Sequence, residues 1–86
     1  MKNNIIISFE ENNWCFKKLN NLKDDDEYIF KKCSSDNLFD LVCTFYYPSK
    51  EIIIEEIPKL IGETKTRFDG KISTFNDVEI ITRMIE

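Results

Sequence analysis

Several short stretches of the chain alternate hydrophobic and polar residues with a period of two, which is typical of half-buried β-strands. In the first stretch, Ile5, Ile7 and Phe9 share one face. Residues 11–13 then favour a turn, because asparagine tolerates left-handed backbone. The pattern therefore predicts a hairpin whose strands are residues 5–10 and 14–19.

Two further strands are predicted downstream. Residues 28–33 repeat the order found in 14–19: an aromatic residue, an apolar residue, Phe, two lysines and an apolar residue. Residues 20–27 between them are rich in Asn and Asp, which favour turns, and they predict an exposed loop. Residues 51–57 form the next strand, which Pro58 ends because proline lacks the N–H that a ladder needs.

The segment 36–47 fits two patterns. A helix begun at Ser34, Ser35 or Asp36 would place apolar residues on one stripe, whereas alternation and the β-branched and aromatic side chains favour a strand. We expect a strand at least over Tyr46 and Tyr47.

In the last third of the chain, the residue pattern predicts shorter helices and turns. Residues 58–67 are compatible with a short helix begun by Pro58. Asp69-Gly70 is a typical two-residue hairpin turn. A C-terminal helix from about Thr74 would have an apolar stripe, and Thr74 with Asp77 resembles a capping box.

Together these elements predict one compact α+β domain over residues 1–86. We expect a small antiparallel sheet of four to six strands with one or two helices, one of them in the C-terminal segment. Only two Gly and two Pro occur, scattered along the 86 residues, so no linker is indicated.

Composition argues against an enzyme. The chain has no histidine, so it holds neither a Ser–His nor a Cys–His nucleophile pair. Its three cysteines form no Cys-x-x-Cys motif and its isolated glycines form no phosphate loop, so we expect no metal and no cofactor. The cysteines are expected to be reduced, largely buried and inert, as in a cytoplasmic protein. The short apolar run at residues 5–7 predicts neither a signal peptide nor a membrane span.

The net charge of −4 is unevenly distributed. Residues 34–63 hold two lysines against six acidic residues and account for the whole excess. Carboxylates around aromatic side chains suit a basic partner, because charge steers the encounter while rings supply buried contact. The predicted partner-binding residues are Asp24, Asp25, Asp26, Glu27, Asp36, Asp40, Tyr46, Tyr47, Glu51, Glu55 and Glu56.

The leading hypothesis is a non-catalytic inhibitor that covers a basic, nucleic-acid-binding surface of another protein, such as a nuclease. Small acidic inhibitors of this kind include immunity proteins, antitoxins and phage-encoded blockers of host defence. The alternative is a nucleic-acid-binding module that uses lysines with stacking rings; its residues would be Trp14, Lys17, Lys18, Tyr28, Lys31 and Lys32. A third hypothesis is a self-associating subunit that pairs through an edge strand such as 51–57, giving a homodimer.

Overall fold

Five strands and two helices make up residues 3–85, the part of the chain that this computed structural model describes. Each strand pairs antiparallel with the next, so the sheet has the simple order β1-β2-β3-β4-β5. The predicted α+β class is thus confirmed. In chain order the elements are α1 (Asn4–Glu10), β1 (Cys15–Asn21), β2 (Asp26–Cys33), β3 (Phe39–Tyr47), β4 (Glu51–Pro58), β5 (Lys65–Lys71) and α2 (Asn76–Ile85).

The first element is a helix, so the strand predicted at residues 5–10 is wrong. The Asn3 side chain caps it by accepting a hydrogen bond from the Ile6 N–H at 2.9 Å. Ile5 and Phe9, one turn apart, are buried, whereas Ile7 between them is exposed. The segment after α1 does use left-handed backbone as expected, since Asn13 has φ of 68°.

Both helices pack on the same face of the sheet. The ring of Phe9 in α1 stacks on Phe30 of β2, with 4.2 Å between centroids, and lies 5.4 Å from Phe45 of β3. Val78 and Ile81 of α2 are buried in the same cluster. One core therefore lies between the sheet and the two helices, and the other face of the sheet carries no described element.

The C-terminal helix is confirmed from Asn76 onward, and the Asp77 half of the predicted capping box is present. The Asp77 carboxylate accepts hydrogen bonds from the backbone N–H of Thr74 at 3.2 Å and of Ser73 at 2.8 Å. Trp14, at the entry to β1, donates its indole N–H to the buried Thr82 hydroxyl at 2.8 Å. This bond ties α2 to the start of the sheet.

The ambiguous segment resolves as strand β3. Ser34 and Asp36 build the turn before it: the Ser34 hydroxyl donates to Asp36 at 2.7 Å, and the Leu38 N–H donates to the same carboxylate oxygen at 3.1 Å. Side-chain caps of this kind compete with helix formation.

Two predictions between residues 58 and 71 are wrong. No helix follows Pro58; a loop leads directly to β5 and contains Gly62, whose φ is +154°. Asp69 and Gly70 are not a hairpin turn, because they lie inside β5 opposite Ile53 and Ile52.

Residues 51–57 are not an edge strand, because β4 pairs with β3 on one side and β5 on the other. The edges are β1 and β5. Each has a register shift, next to Lys17 in β1 and next to Arg67 in β5. Within residues 3–85, neither helix is long and apolar enough to cross a membrane.

Candidate functional site

The meander brings most predicted partner-binding residues to one end of the sheet, because its turns alternate between two ends. The β1–β2 turn and the β3–β4 turn lie at the same end. This acidic end comprises Asp24, Asp25, Asp26, Glu27, Tyr46, Tyr47 and Glu51.

A hydrogen-bonded pair lies at the centre of the acidic end. The Tyr46 hydroxyl donates to Glu27 Oε2 at 2.9 Å, and Asn20 donates to Glu27 Oε1 at 2.8 Å. The hydrogen bond to Glu27, together with partial burial and the charges of Glu27, Glu51 and Asp25, raises the pKa of Tyr46. The phenol is therefore neutral at pH 7 and sits in a negative field.

The two turns of the acidic end are joined to each other. The Ser49 N–H of the β3–β4 turn donates to Asp25 Oδ1 of the β1–β2 turn at 2.9 Å. Beside this bond lies an open depression of about 330 Å³, lined by Leu22, Lys23, Asp24, Asp25, Asp26, Tyr47 and Pro48. Three carboxylates, one lysine and one aromatic ring thus surround a shallow recess.

The other predicted carboxylates lie toward the opposite end, where several are engaged in the fold. Glu56 pairs with Arg67 at 2.6 Å, and Asp36 caps the β2–β3 turn. The bond from Ser34, then that from the Leu38 backbone, lowers the pKa of Asp36. Glu55 lies on the helix-free face of the sheet, opposite Thr66.

Asp40 is bracketed by two lysines, at 3.3 Å from Lys31 and 3.9 Å from Lys59. Desolvation disfavours its ionised form, but hydrogen bonds from Lys31 and Cys33 and the charges of both lysines outweigh it and lower its pKa. Cations from outside residues 34–63, Lys31 and Arg67, therefore neutralise part of the acidic excess of that segment. In contrast, Asp24, Asp25, Asp26, Glu27 and Glu51 make no ion pair with any residue between 3 and 85.

The structure separates the rings of the nucleic-acid alternative from its lysines. Trp14 and Tyr28 are 2% and 4% exposed, so neither ring is free to stack on a base. Lys17, Lys31 and Lys32 do converge around a shallow cavity of about 350 Å³, which Cys15, Cys33 and the Lys31 partner Asp40 also line. Lys18 lies further along β1, opposite Ile29.

Only one thiol is buried as the sequence predicts. Cys43 is in the core, and burial raises the pKa of its thiol far above the ordinary range. Cys15 and Cys33 are exposed, because they lie near strand ends where no helix covers them. Cys33 contacts Lys59, with 3.2 Å between Sγ and Nζ.

Sequence reasoning missed two exposed apolar features. Leu60 and Ile61, at 91% and 98% exposed, form the tip of the β4–β5 loop. The glycine at position 62 was the feature of the sequence that could have indicated a loop here. The second feature is the helix-free face of the sheet, whose central side chains are the half-buried Ile29, Val42, Thr44 and Ile53. Alternation in the strands was the signal here, but the sequence does not tell which face the helices cover.

Comparison with known proteins gives no relative from which a function could be transferred: no protein-family model, no curated protein and no solved structure matches the chain significantly.

Proposed function

We propose that this protein is a small, non-catalytic protein-binding module whose acidic end docks on a basic surface of a partner. The carrying observation is that the carboxylates Asp24–Glu27 and Glu51 surround two tyrosines without an ion pair to any residue of 3–85. Unpaired surface charge of one sign attracts a partner of the other sign.

The depression at the acidic end suits a lysine or arginine side chain. Carboxylates form short, strong hydrogen bonds with a guanidinium or ammonium group. Tyr47 lines the depression and is 40% exposed, and a tyrosine ring face can add a cation–π contact. Because Asp25 already holds the two turns together through Ser49, little ordering is required on binding.

Nucleic-acid-handling proteins are the partner class this surface fits best. Their phosphate-binding sites are clusters of Lys and Arg, for which a compact set of carboxylates is a substitute ligand. By covering such a site the module would inhibit its partner, as immunity proteins, antitoxins or phage blockers of host defence do. A nuclease is the simplest example.

Titration with an oligoarginine peptide tests the acidic end directly. We expect the triple variant Asp24→Asn, Asp26→Asn and Glu51→Gln to bind at least about tenfold more weakly and with a shallower salt dependence. The matched control neutralises three exposed carboxylates elsewhere, Glu11, Glu63 and Glu79, and has the same net charge.

The control triple should bind nearly as well as the unaltered protein. Equal weakening of both triples would contradict the proposal, because only net charge would then matter. Affinity capture from a nuclease-treated lysate extends the test to real partners. Nucleic-acid-binding proteins should be retained by the unaltered protein and the control, and lost with the acidic-end triple.

The second candidate, direct nucleic-acid binding, has one observation in its favour, the convergence of Lys17, Lys31 and Lys32. A mobility shift with single- and double-stranded DNA and RNA distinguishes it. Salt-sensitive binding that is lost on changing Lys17, Lys18, Lys31 and Lys32 to Ser would favour this candidate over the acidic end.

A further inference from the structure

The face of the sheet opposite the helices is wide and has an apolar centre. Ile29, Val42 and Ile53 lie on it, half-buried, and none of them belongs to the core cluster beneath the helices. Its five strands span about 19 Å from β1 to β5, at about 4.8 Å per strand. On the other side a sheet of this width seats both helices, so this uncovered face is large enough to pack against another sheet.

Strand register orders the uncovered face from basic through apolar to acidic. Directly paired residues point to the same side of a sheet, so cross-strand rows can be followed. One row runs, from β1 to β5, through Lys18, Ile29, Thr44, Ile53 and Asp69. The neighbouring row, from β2 to β4, runs through Lys31, Val42 and Glu55.

This order is complementary to itself. If a second copy is laid face to face about a two-fold axis parallel to β3, then β1 lies over β5 of the other copy and β2 lies over β4. Ile29 then faces Ile53, and Lys18 faces Asp69 in both directions. In the neighbouring row Lys31 faces Glu55 and Val42 faces itself.

From this complementarity we infer that the protein forms a symmetric homodimer through the uncovered face of its sheet. Aligned sheets pack about 10 Å apart and about 30° from parallel. That rotation displaces the outer strands by a few ångströms relative to each other, a distance that the long Lys18 side chain can span. The apolar centre lies near the axis, where the displacement is smallest.

The remaining carboxylates on this face have compensating neighbours. Asp40 would approach its own copy near the axis, where Lys59 lies beside it and Lys31 is shared between Asp40 and Glu55 of the other copy. Glu27 would face Glu51, which has Lys71 as its register partner, and Glu27 itself accepts two hydrogen bonds. A sheet face about 19 Å wide buries at most the low end of the area range of stable interfaces, so we expect a weak dimer.

Edge-to-edge pairing is the less suitable route to a dimer. Both edge strands have register shifts, beside Lys17 in β1 and beside Arg67 in β5. Bulges and charged side chains are common protections of sheet edges against a second chain. The face-to-face dimer leaves both edges free. It covers Glu27, Tyr46 and Glu51 of the acidic end, whereas Asp26 and Tyr47, which line the depression, lie on the helix side of the sheet and stay open.

Sedimentation analysis over a micromolar to millimolar concentration series tests the dimer through a charge swap. We expect Lys18→Glu and Asp69→Lys each to raise the dimer dissociation constant about tenfold, because each change turns two attractive contacts into repulsive ones. The double variant should recover most of the affinity of the unaltered protein. Recovery within one chain is excluded, since the two residues lie on opposite edges of the sheet.

A second pair of variants tests the apolar centre. Ile53→Thr should weaken the dimer, whereas Ile80→Thr, on the exposed side of α2, should leave it unchanged. Circular dichroism checks that each variant is folded. A protein that stays monomeric throughout the series, or a dimer indifferent to the charge swap, would overturn the inference.

Discussion

The pKa of Tyr46 is sensitive to the negative charge of the acidic end, because its hydroxyl donates a hydrogen bond to Glu27 and lies near two other carboxylates. A raised pKa in the folded state means that folding favours the neutral phenol. This contribution to stability is complete below the ordinary tyrosine pKa of about 10 and disappears as pH rises through the raised value.

We therefore expect a tyrosinate absorbance titration to place Tyr46 above the ordinary range, identified by its loss in Tyr46→Phe. Glu27→Gln should return the pKa toward the ordinary value, because the largest cause of the shift is the bond to Glu27. Glu63→Gln, in the β4–β5 loop, should leave it unchanged. A titration unaffected by Glu27→Gln would mean that the hydrogen bond does not form in solution.

Individual residues show where sequence reasoning succeeded. The left-handed backbone near Asn13 and the carboxylate cap of Asp77 follow from side-chain chemistry that acts over a few residues, so both could be predicted. The burial of Trp14 and Tyr28 could not be predicted, because it depends on which face of the sheet the helices cover.

At the scale of elements, the backbone conformation of the β4–β5 loop depends on Gly62. Its φ of +154° is unfavourable for other residues, and a Cβ built there would lie 2.8 Å from Pro58 Cγ. Gly70 lies inside β5, where a Cβ would meet the Phe68 ring at 3.4 Å, an ordinary contact.

We expect Gly62→Ala to lower the free energy of unfolding by about 1–3 kcal/mol, because it adds both strain and a clash. Gly70→Ala should be neutral or stabilise by up to about 1 kcal/mol, since glycine in a strand interior carries an entropic cost. Urea unfolding of both variants measures the difference. Equal effects would show that the Gly62 backbone is not constrained in solution.

Helix α1 shows why some elements could not be predicted. Its seven residues are too few for a stable isolated helix, so tertiary contacts decide its conformation. The decisive contact is the stacking of Phe9 on Phe30, which are far apart in sequence. In contrast, β4 is rich in β-branched residues and was predicted as a strand, whereas β3 was predicted only over Tyr46 and Tyr47 because its pattern also fits a helix.

For the whole molecule, the bond between Trp14 and Thr82 joins residues near the two ends of the chain. We expect Thr82→Val to destabilise the fold by about 1–3 kcal/mol, because a buried indole N–H loses its acceptor. Thr82→Ser keeps the hydroxyl and should lose less. Chemical unfolding followed by Trp14 fluorescence measures both, and a larger loss for the serine variant would assign the effect to methyl packing instead.

For the candidate site, the residues of the acidic end could be predicted from the sequence, but not that they lie together. The sequence locates the acidic excess in residues 34–63, whereas the fold pairs Asp40 with Lys31 and Glu56 with Arg67. The unpaired cluster combines Asp24–Glu27, from a segment that the sequence shows as neutral overall, with Tyr46 and Glu51. Pairing between neighbouring strands of the meander brings these groups together, and counting charges along the chain does not show which strand positions face each other.

The carboxylates of the acidic end have no ion pair within residues 3–85, whereas Asp40 and Glu56 toward the other end are paired with cations, so the charge distribution has a dipole along the strands. A dipole in the field of a basic partner turns before contact, so most encounters would begin with the acidic end leading. Salt would then act mainly on the association rate, while the lifetime of the complex would depend on the close contacts around Tyr47. If the acidic end binds as proposed, the simple order of the sheet would set the orientation of approach as well as the position of the binding surface.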